Sequence, residues 1–285
     1  MALGVLLGVQ ESFRRIEGLD GATVTSPVTL VAVAGLLATG QAIIGYGWRR
    51  LLPAITDPVT SMWTFHATQP GKYLPLGIGQ AVGQVALVRD LGVPLRSAVA
   101  SWASHVAMLV VAGCAMGALL VVRSEMGALR WVFLAGLLAV AAAHRSVLGV
   151  AIGAGATLTS RLPAPTDLPG QRALIHALLA SFAFMLLHGL GYAVLVDGWE
   201  PTWTRWLCLI GAYALSAGLS TATPLPAGLG VREALLVLLT GLDPATAIAA
   251  AVAHRVVAFG AEIALLSLFF AMRAVRRATG GPAVE

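Results

Sequence analysis

Apolar residues occur along this chain in long runs separated by short polar stretches. Five of these runs are of roughly spanning length, at residues 27–46, 97–121, 173–196, 206–223 and 245–272. Because about 20 apolar residues in a helix cross the hydrocarbon core of a bilayer, each run predicts a transmembrane helix. A shorter run at about 128–143 is also interpreted as a span, since Arg130 and Arg145 beside it can reach the headgroups.

The composition indicates the same class of protein. The 285 residues are 58% hydrophobic and 11% charged, and the mean hydropathy of +0.85 exceeds what a soluble core needs. We therefore expect a single all-α integral membrane domain over residues 1–285.

Residues 1–9 are apolar but too short to span, and basic residues follow rather than precede them. This order predicts no cleavable signal, and either an interfacial helix or the remainder of a first helix.

Most arginines lie in stretches that can share one side of the membrane. They are Arg49, Arg50, Arg89, Arg96, Arg145, Arg161, Arg172, Arg273, Arg276 and Arg277. Placing them in the cytoplasm leaves Arg123, Arg130 and Arg205 in short outer loops, as the positive-inside rule favours. We predict a multi-pass protein of the bacterial cell (inner) membrane with a cytoplasmic basic tail, residues 273–285. The net charge of +5 follows from this asymmetry, and no nucleic-acid partner is expected.

One motif, Leu-Pro-x-Gly-x-Gly, occurs twice in the chain. Its two copies match Leu74, Pro75, Gly77 and Gly79 with Leu225, Pro226, Gly228 and Gly230. Each copy precedes a short helical stretch, a break at Pro94 or Pro244, and an Ala-rich run. We predict two structural repeats, about 27–121 and about 173–272, in a fold of about seven or eight transmembrane helices. The Pro-rich loop 162–171 is interpreted as a linker between them, and the repeats are either inverted or parallel.

The prolines and glycines of each motif interrupt a helix, because proline lacks an N–H and glycine adds backbone entropy. Irregular backbone at membrane depth is tolerated where protein or a wet cavity satisfies its polar groups, which predicts two re-entrant or half-helix segments lining a site. The helices restarting after Gly79 and Gly230 present N–H groups to an anion such as a lipid phosphate. The alternative is that the glycines only allow close helix packing, as the spacings Gly79 to Gly83 and Gly113 to Gly117 permit.

Ionisable residues within the apolar runs are further candidates for the site, because a charge at membrane depth is costly and is usually paired and functional. Arg255 and Glu262 are two turns apart and share one helix face. Arg232 and Arg255 in a polar cavity would hold a phosphate through their guanidinium groups. Glu233 is expected either to orient Arg255 or to carry a coupling proton.

The predicted lipid- or phosphate-binding set combines these residues with their first-repeat counterparts and the motif glycines. Its members are Arg232, Glu233, Arg255, His254, Glu262, Lys72, Tyr73, Gln80, Arg89, Gly77, Gly79, Gly228 and Gly230. Gln84, Asp90 and His105 are further first-repeat counterparts. Local neutralisation of Arg232 by Glu233, or of Arg89 by Asp90, is the alternative. The remaining histidines and both cysteines are interpreted as packing or interfacial residues: His66, His144, His176, His188, Cys114 and Cys208.

No catalytic residue, metal site or cofactor is predicted. An Asp-x-Asp pair, which would hold the metal of a membrane transferase, does not occur in the sequence. Gly71-Lys72 lacks the upstream glycine of a phosphate-binding loop, so ATP hydrolysis is not expected. These features favour a transporter over an enzyme.

The same motifs resemble the lysylphosphatidylglycerol synthase transmembrane region family, which contains the membrane half of the multiple peptide resistance factor and stand-alone relatives. The likeness extends over residues 25–272. In the first repeat it comprises Gly-Lys-Tyr-Leu-Pro-Leu-Gly-Ile-Gly at 71–79 and Arg-Asp-Leu-Gly-Val-Pro at 89–94. In the second it comprises Pro-Leu-Pro-Ala-Gly-Leu-Gly-Val-Arg-Glu-Ala at 224–234 and Ala-x-Ala-x-x-His-Arg at 249–255. The first repeat departs from the family pattern at Leu76, Gly77, Gln80 and Gly83.

The resemblance implies a flippase that moves a phospholipid or polyprenyl-phosphate lipid, with a sugar or aminoacyl headgroup, between leaflets. It implies as partners a membrane or cytoplasmic glycosyl- or aminoacyl-transferase, and a homodimer. A fused aminoacyl-transfer domain is not expected. The alternatives are a membrane-embedded transferase and an accessory subunit for a polyprenyl-phosphate or glycolipid pathway.

Overall fold

A computed structural model of the chain describes residues 27–52, 55, 57–74, 79–122, 168–199, 202–223 and 225–279. Within these ranges all regular structure is helical. The eight α-helices are α1 (Pro27–Arg50), α2 (Pro58–Thr68), α3 (Gly79–Asp90), α4 (Leu95–Met116), α5 (Gln171–Asp197), α6 (Trp203–Thr221), α7 (Val231–Thr240) and α8 (Pro244–Ala278). Three 3-10 segments, Gln69–Tyr73, Gly117–Val122 and Pro226–Gly228, complete the described elements. The predictions for residues 1–26, the span at 128–143, the linker to residue 167 and the tail beyond 279 lie outside them.

Four of the described helices are long and apolar enough to cross a membrane: Pro27–Arg50, Leu95–Leu120, Gln171–Asp197 and Pro244–Ala278. Their length and apolar composition are compatible with the predicted multi-pass membrane protein, and they coincide with four of the five long predicted spans. The fifth run forms α6, a 19-residue helix whose side chains are mostly buried, because the other helices surround it. The total of about seven or eight spans and the re-entrant path of the broken segments stay predictions.

Two helix starts are determined by an Asp-Pro pair. The Asp57 carboxylate accepts a hydrogen bond from the Thr60 backbone N–H at 2.7 Å, and Pro58 occupies the first turn of α2. Asp243 and Pro244 repeat this arrangement at α8, where the Asp243 carboxylate accepts a hydrogen bond from the Thr246 backbone N–H at 3.1 Å. An Asp cap satisfies a free N–H and proline has none to satisfy, so both pairs favour helix initiation.

Helices α1 and α5 form the largest helix contact and run antiparallel. Close approaches occur along the whole pair: a Cβ built on Gly47 would lie 2.4 Å from the Ala180 Cβ, and one on Gly40 would lie 2.9 Å from the His188 ring. At the far end the Trp199 indole donates to the Thr29 hydroxyl at 3.3 Å. Helix α5 therefore begins at the same end of the molecule at which α1 finishes.

Helices α4 and α6 approach each other through small residues. A Cβ on Gly113 would lie 2.5 Å from the Ala214 carbonyl oxygen, and Gly117 faces the Leu215 side chain. Glycines four residues apart lie on one helix face, so they allow the two backbones to come close. This is the packing role that the Gly113 to Gly117 spacing permits.

Several of the predicted cytoplasmic arginines lie at one end of the helices. Arg276, near the end of α8, donates to the Asp57 carboxylate at 2.7 Å, and Arg273 lies 4.0 Å from the centre of the Trp63 ring. The contacts bring the end of α8 to the start of α2, beside the end of α1. The shared end agrees with the charge pattern, and its cytoplasmic assignment stays a prediction.

The two regions that contain the repeated motif have the same order of elements. The first is α2, the 3-10 segment Gln69–Tyr73, α3 and α4, and the second is α6, the 3-10 segment Pro226–Gly228, α7 and α8. The two 3-10 segments contact each other. These 3-10 segments, Gln69–Tyr73 and Pro226–Gly228, are called the first and second broken segments below, and they meet. A duplicated origin and the relative orientation of the halves stay predictions.

Candidate functional site

A cavity of about 160 Å³ lies where the two 3-10 segments meet. Its wall is formed by residues from all eight described α-helices together with both 3-10 segments. A water needs about 10–15 Å³ of such space, so the cavity has room for several waters or for a small polar headgroup.

The cavity collects most of the residues that the sequence predicts. Those in its wall are Lys72, Tyr73, Gln80, Gly228, Arg232, His254, Arg255 and Glu262. Glu233 reaches the site through Arg255, whereas Gly79 and Gly230 stand outside the wall. Arg89 is exposed at the end of α3, apart from the cavity, and Gly77 lies outside the described residues.

Arg255 is fixed by one contact with α7 and one with the 3-10 segment Pro226–Gly228. Its Nε donates to Oε1 of Glu233 at 2.8 Å, and its Nη1 donates to the Ala227 carbonyl at 3.0 Å. Ala227 has φ 48°, a left-handed conformation that costs a non-glycine residue about 1–2 kcal/mol. The Nη2 group of Arg255 is buried and has no hydrogen-bond partner in the part of the chain that the structure describes.

Glu233 joins Arg255 to the start of α7. Its second carboxylate oxygen, Oε2, accepts the backbone N–H of Gly230 at 2.8 Å. The alternative of local neutralisation of Arg232 by Glu233 is therefore not the pairing formed; Glu233 binds Arg255. The Gly230 N–H, predicted to face an anion, is occupied by this carboxylate.

Arg232 is half-buried and has weaker contacts than Arg255. Its Nε lies 3.4 Å from the Ser220 hydroxyl, and its guanidinium carbon is 5.7 Å from the centre of the Tyr213 ring. A cation over an aromatic face is attracted to the ring, but this contact leaves its N–H groups available for another acceptor.

Lys72 and Glu262 connect the first broken segment to α8. The Lys72 ammonium forms an ion pair with Oε1 of Glu262, and the same oxygen accepts from the Gln41 amide at 2.9 Å. Glu262 is 1% exposed, and its other oxygen, Oε2, is buried without a hydrogen-bond partner among the described residues. The cavity group thus contains Lys72, Arg232 and Arg255 against Glu233 and Glu262, a surplus of one positive charge.

Polar residues that the sequence interpretation did not include also line the cavity. His188, interpreted as a packing residue, packs between Phe184 and His254 with ring centres 4.1 and 5.3 Å away. Gln41 and Tyr213 are single polar residues within apolar runs, which is the only signal that could have identified them. The other predicted packing histidine here, His66, is buried and stacks on Phe269 outside the cavity.

The motif glycines serve close packing and tight turns. A Cβ on Gly79 would lie 2.5 Å from the Gly71 carbonyl oxygen, so α3 starts directly against the 3-10 segment. Gly228 has φ 66°, and a Cβ built on it would lie 2.5 Å from the Ser220 Cβ. Gly230 has φ 83°, and a Cβ built on it would have no described atom within 4 Å. The packing alternative thus accounts for Gly79 and the turn geometry for Gly230.

Within the described ranges, no group of three or more His, Cys, Asp or Glu side chains is arranged to hold a metal ion. The contacts seen at the cavity include ion pairs and hydrogen bonds. Comparison with models of known protein families gives no matching family. A search of curated proteins also gives no match.

Proposed function

We propose that the protein is a lipid translocase that moves a phosphate-bearing lipid, with a sugar or aminoacyl headgroup, across the bilayer. The observation that carries this proposal is the buried Nη2 group of Arg255, which has no hydrogen-bond partner among the described residues; Arg255 lines a cavity that Arg232 and Lys72 also line. A buried donor without an acceptor costs about 1–3 kcal/mol, and a bound phosphate oxygen would remove that cost.

The size and position of the cavity support a headgroup as the ligand. A volume of about 160 Å³ accommodates a phosphate and a few attached atoms but not acyl chains, which then remain in the surrounding bilayer. The two interrupted segments would act as the re-entrant or half-helix parts of two repeats, as in other transporters with sites at broken helices. Relative rocking of the halves would open the cavity to one leaflet and then to the other.

The family resemblance belongs to the same proposal. The matching stretches contain Lys72, Arg232, Glu233, His254 and Arg255, which all line the cavity or bind a residue that does. A transferase that makes or uses the lipid, and a second copy of the chain, are its proposed partners. A bacterial inner membrane with the Arg276 end in the cytoplasm is the proposed location.

Transport is tested in proteoliposomes that contain fluorescently labelled phosphatidylglycerol or a labelled polyprenyl phosphate. The measurement is the fraction of label that a membrane-impermeant quencher reaches with time. We expect the wild-type protein to expose inner-leaflet lipid, and Arg232→Ala and Arg255→Ala to slow this about tenfold or more, since each removes a charge-assisted contact of about 1.5–3 kcal/mol.

Arg276→Ala is the matched control, because it also removes a guanidinium that pairs with a carboxylate but lies at the helix end and not in the cavity. No movement of any phospholipid class by folded wild-type protein would refute the proposal. Equal rates for wild type and both cavity variants would instead favour an accessory subunit that does not transport.

A further inference from the structure

We propose that Glu262 is a proton-binding site linked to the anion site through Lys72, so that the cavity takes up an anionic headgroup and a proton together. This rests on the proposed function, because it assumes that a phosphate enters the cavity. Its ligand is a single proton from the water on the side to which the cavity is open.

The two carboxylate oxygens of Glu262 differ in their hydrogen-bond partners. Oε1 accepts from both Lys72 and Gln41, whereas Oε2 has no hydrogen-bond partner among the described residues. The side chain is 1% exposed and lies in the cavity wall on α8, one of the helices long enough to span. A buried carboxylate in such a place keeps its charge through its cationic partner, here Lys72.

An anionic ligand competes for that partner. Lys72 lines the same cavity as Arg232 and Arg255, and a phosphate between these cations attracts its ammonium away from Glu262. A buried carboxylate that loses its counter-charge avoids the cost of an unpaired charge by taking a proton. Because the linkage is reciprocal, protonation of Glu262 in turn releases Lys72 for the anion.

A proton fits this site better than a metal cation. The groups next to the Glu262 carboxylate are an ammonium and an amide N–H, which are donors and not oxygen ligands. Other titratable or charged groups lie at the same cavity: Tyr73, His105, His188, Arg232, His254 and Arg255 line it, Glu233 binds Arg255, and His66 stacks on Phe269 of α8. Among them, Glu233 has both carboxylate oxygens occupied.

The test is calorimetric titration of the purified protein in detergent with dihexanoyl phosphatidylglycerol. This short-chain phosphodiester has a fixed charge between about pH 5 and about pH 8, so it neither gives nor takes a proton itself. Heats measured in buffers of different ionisation enthalpy give the number of protons taken up for each lipid bound. We expect net proton uptake, and an affinity that falls by up to about tenfold for each unit rise in pH.

Two variants separate Glu262 from the histidines. Glu262→Gln keeps the shape and accepts the same hydrogen bonds, and it should bind the lipid with no proton uptake and no pH dependence. Lys72→Gln should also lose the uptake, because Glu262 then takes its proton before the lipid binds, and it should bind more weakly. Asp197→Asn, which neutralises a carboxylate paired with Arg205 outside the cavity, should retain the wild-type uptake.

The outcomes distinguish this inference from the function on which it rests. Lipid binding by the wild-type protein without proton uptake, or uptake that persists in Glu262→Gln, would overturn the proton site and leave the translocase proposal intact. The wild-type measurement decides this even if a variant does not fold. Failure of the wild-type protein to bind the lipid at any pH tested would overturn the anion site itself.

Discussion

Glu233 holds Arg255 across 22 residues of sequence through a 2.8 Å bond between its Oε1 and the arginine Nε. Both side chains are largely buried, with 15% and 13% of their surface exposed. The pair fixes the Nε side of the guanidinium against α7, whereas the buried Nη2 has no partner in the described structure. Removing the charge of Glu233 therefore affects both stability and the anion site.

We predict that Glu233→Gln lowers the free energy of unfolding by about 1–3 kcal/mol, because it removes a charge-assisted bond in a mostly buried place. It should also weaken lipid binding, since Arg255 is no longer held in one orientation. Thermal unfolding in detergent, followed by tryptophan fluorescence, measures the first effect and calorimetry the second.

Asp197→Asn is the control for this change. Asp197 pairs with Arg205 at 2.8 Å, but the arginine is 54% exposed, and exposed ion pairs contribute only about 0.2–1 kcal/mol. Equal losses for the two variants would show that the Glu233–Arg255 pair has no special role.

The turn at Ala227, Gly228 and Gly230 gives a graded prediction. Gly228→Ala should be the most harmful change, because it combines φ 66° with a Cβ placed 2.5 Å from that of Ser220. Gly230→Ala has the conformational cost alone, about 1–2 kcal/mol, since no atom of the described residues lies within 4 Å of the added Cβ. Ala227→Gly, at φ 48°, should leave stability unchanged or raise it. Unfolding midpoints in this order support the strained turn, and a reversed order of the two glycine variants contradicts it.

The contact of α4 with α6 can be tested at one position. Gly113→Ala places a methyl group 2.5 Å from the Ala214 carbonyl oxygen and should cost about 1–3 kcal/mol through overpacking. Gly35→Ala, in α1 with no atom of the described residues within 4 Å of its Cβ position, should instead be neutral or stabilising by up to about 1 kcal/mol, because alanine favours a helix. A harmless Gly113→Ala would show that the two helices are not this close.

Asp57 gives a prediction about acid stability. Burial raises its pKa, but hydrogen bonds from Thr60 and Val59 and the charge of Arg276 outweigh this and hold the pKa below its ordinary value. The charged form is thus favoured in the folded state. Its stabilisation is present above about pH 4 and is lost as the pH falls through the lowered pKa.

Asp57→Asn retains a good N-cap while removing the charge, so it isolates the stabilisation that depends on the charged carboxylate. We expect the variant to melt lower than wild type at about pH 6 and to lose less stability on acidification to about pH 3. The melting temperature at both pH values is the measurement. Parallel curves for the two proteins would assign the acid sensitivity to other carboxylates.

The sequence could predict which side chains gather at the site. Charges within apolar runs are few, which identifies Arg255 and Glu262, and Lys72 and Arg232 are identified by their places beside the two copies of the motif. A motif that breaks a helix must be satisfied by other protein or water, so the meeting of the two 3-10 segments follows from the same physics.

The pairing of those charges could not be predicted. Arg232 is next to Glu233 in sequence, yet Glu233 binds Arg255, because the turn before α7 directs the carboxylate toward α8. Lys72 and Glu262 are 190 residues apart, and their contact depends on how α8 packs on the first broken segment. A single polar residue within an apolar run, such as Gln41, gives a sequence signal but not its role, because that role depends on its neighbours in space.

The length of α8 has one more consequence. Its 35 residues extend about 52 Å, against a hydrocarbon thickness of about 30 Å, so the helix must tilt or project beyond the headgroups. The same helix carries Arg255 and Glu262 two turns apart and Arg276 near its end. Any change in bilayer thickness or surface charge that alters its inclination will therefore reposition both cavity residues relative to α1 and the first broken segment.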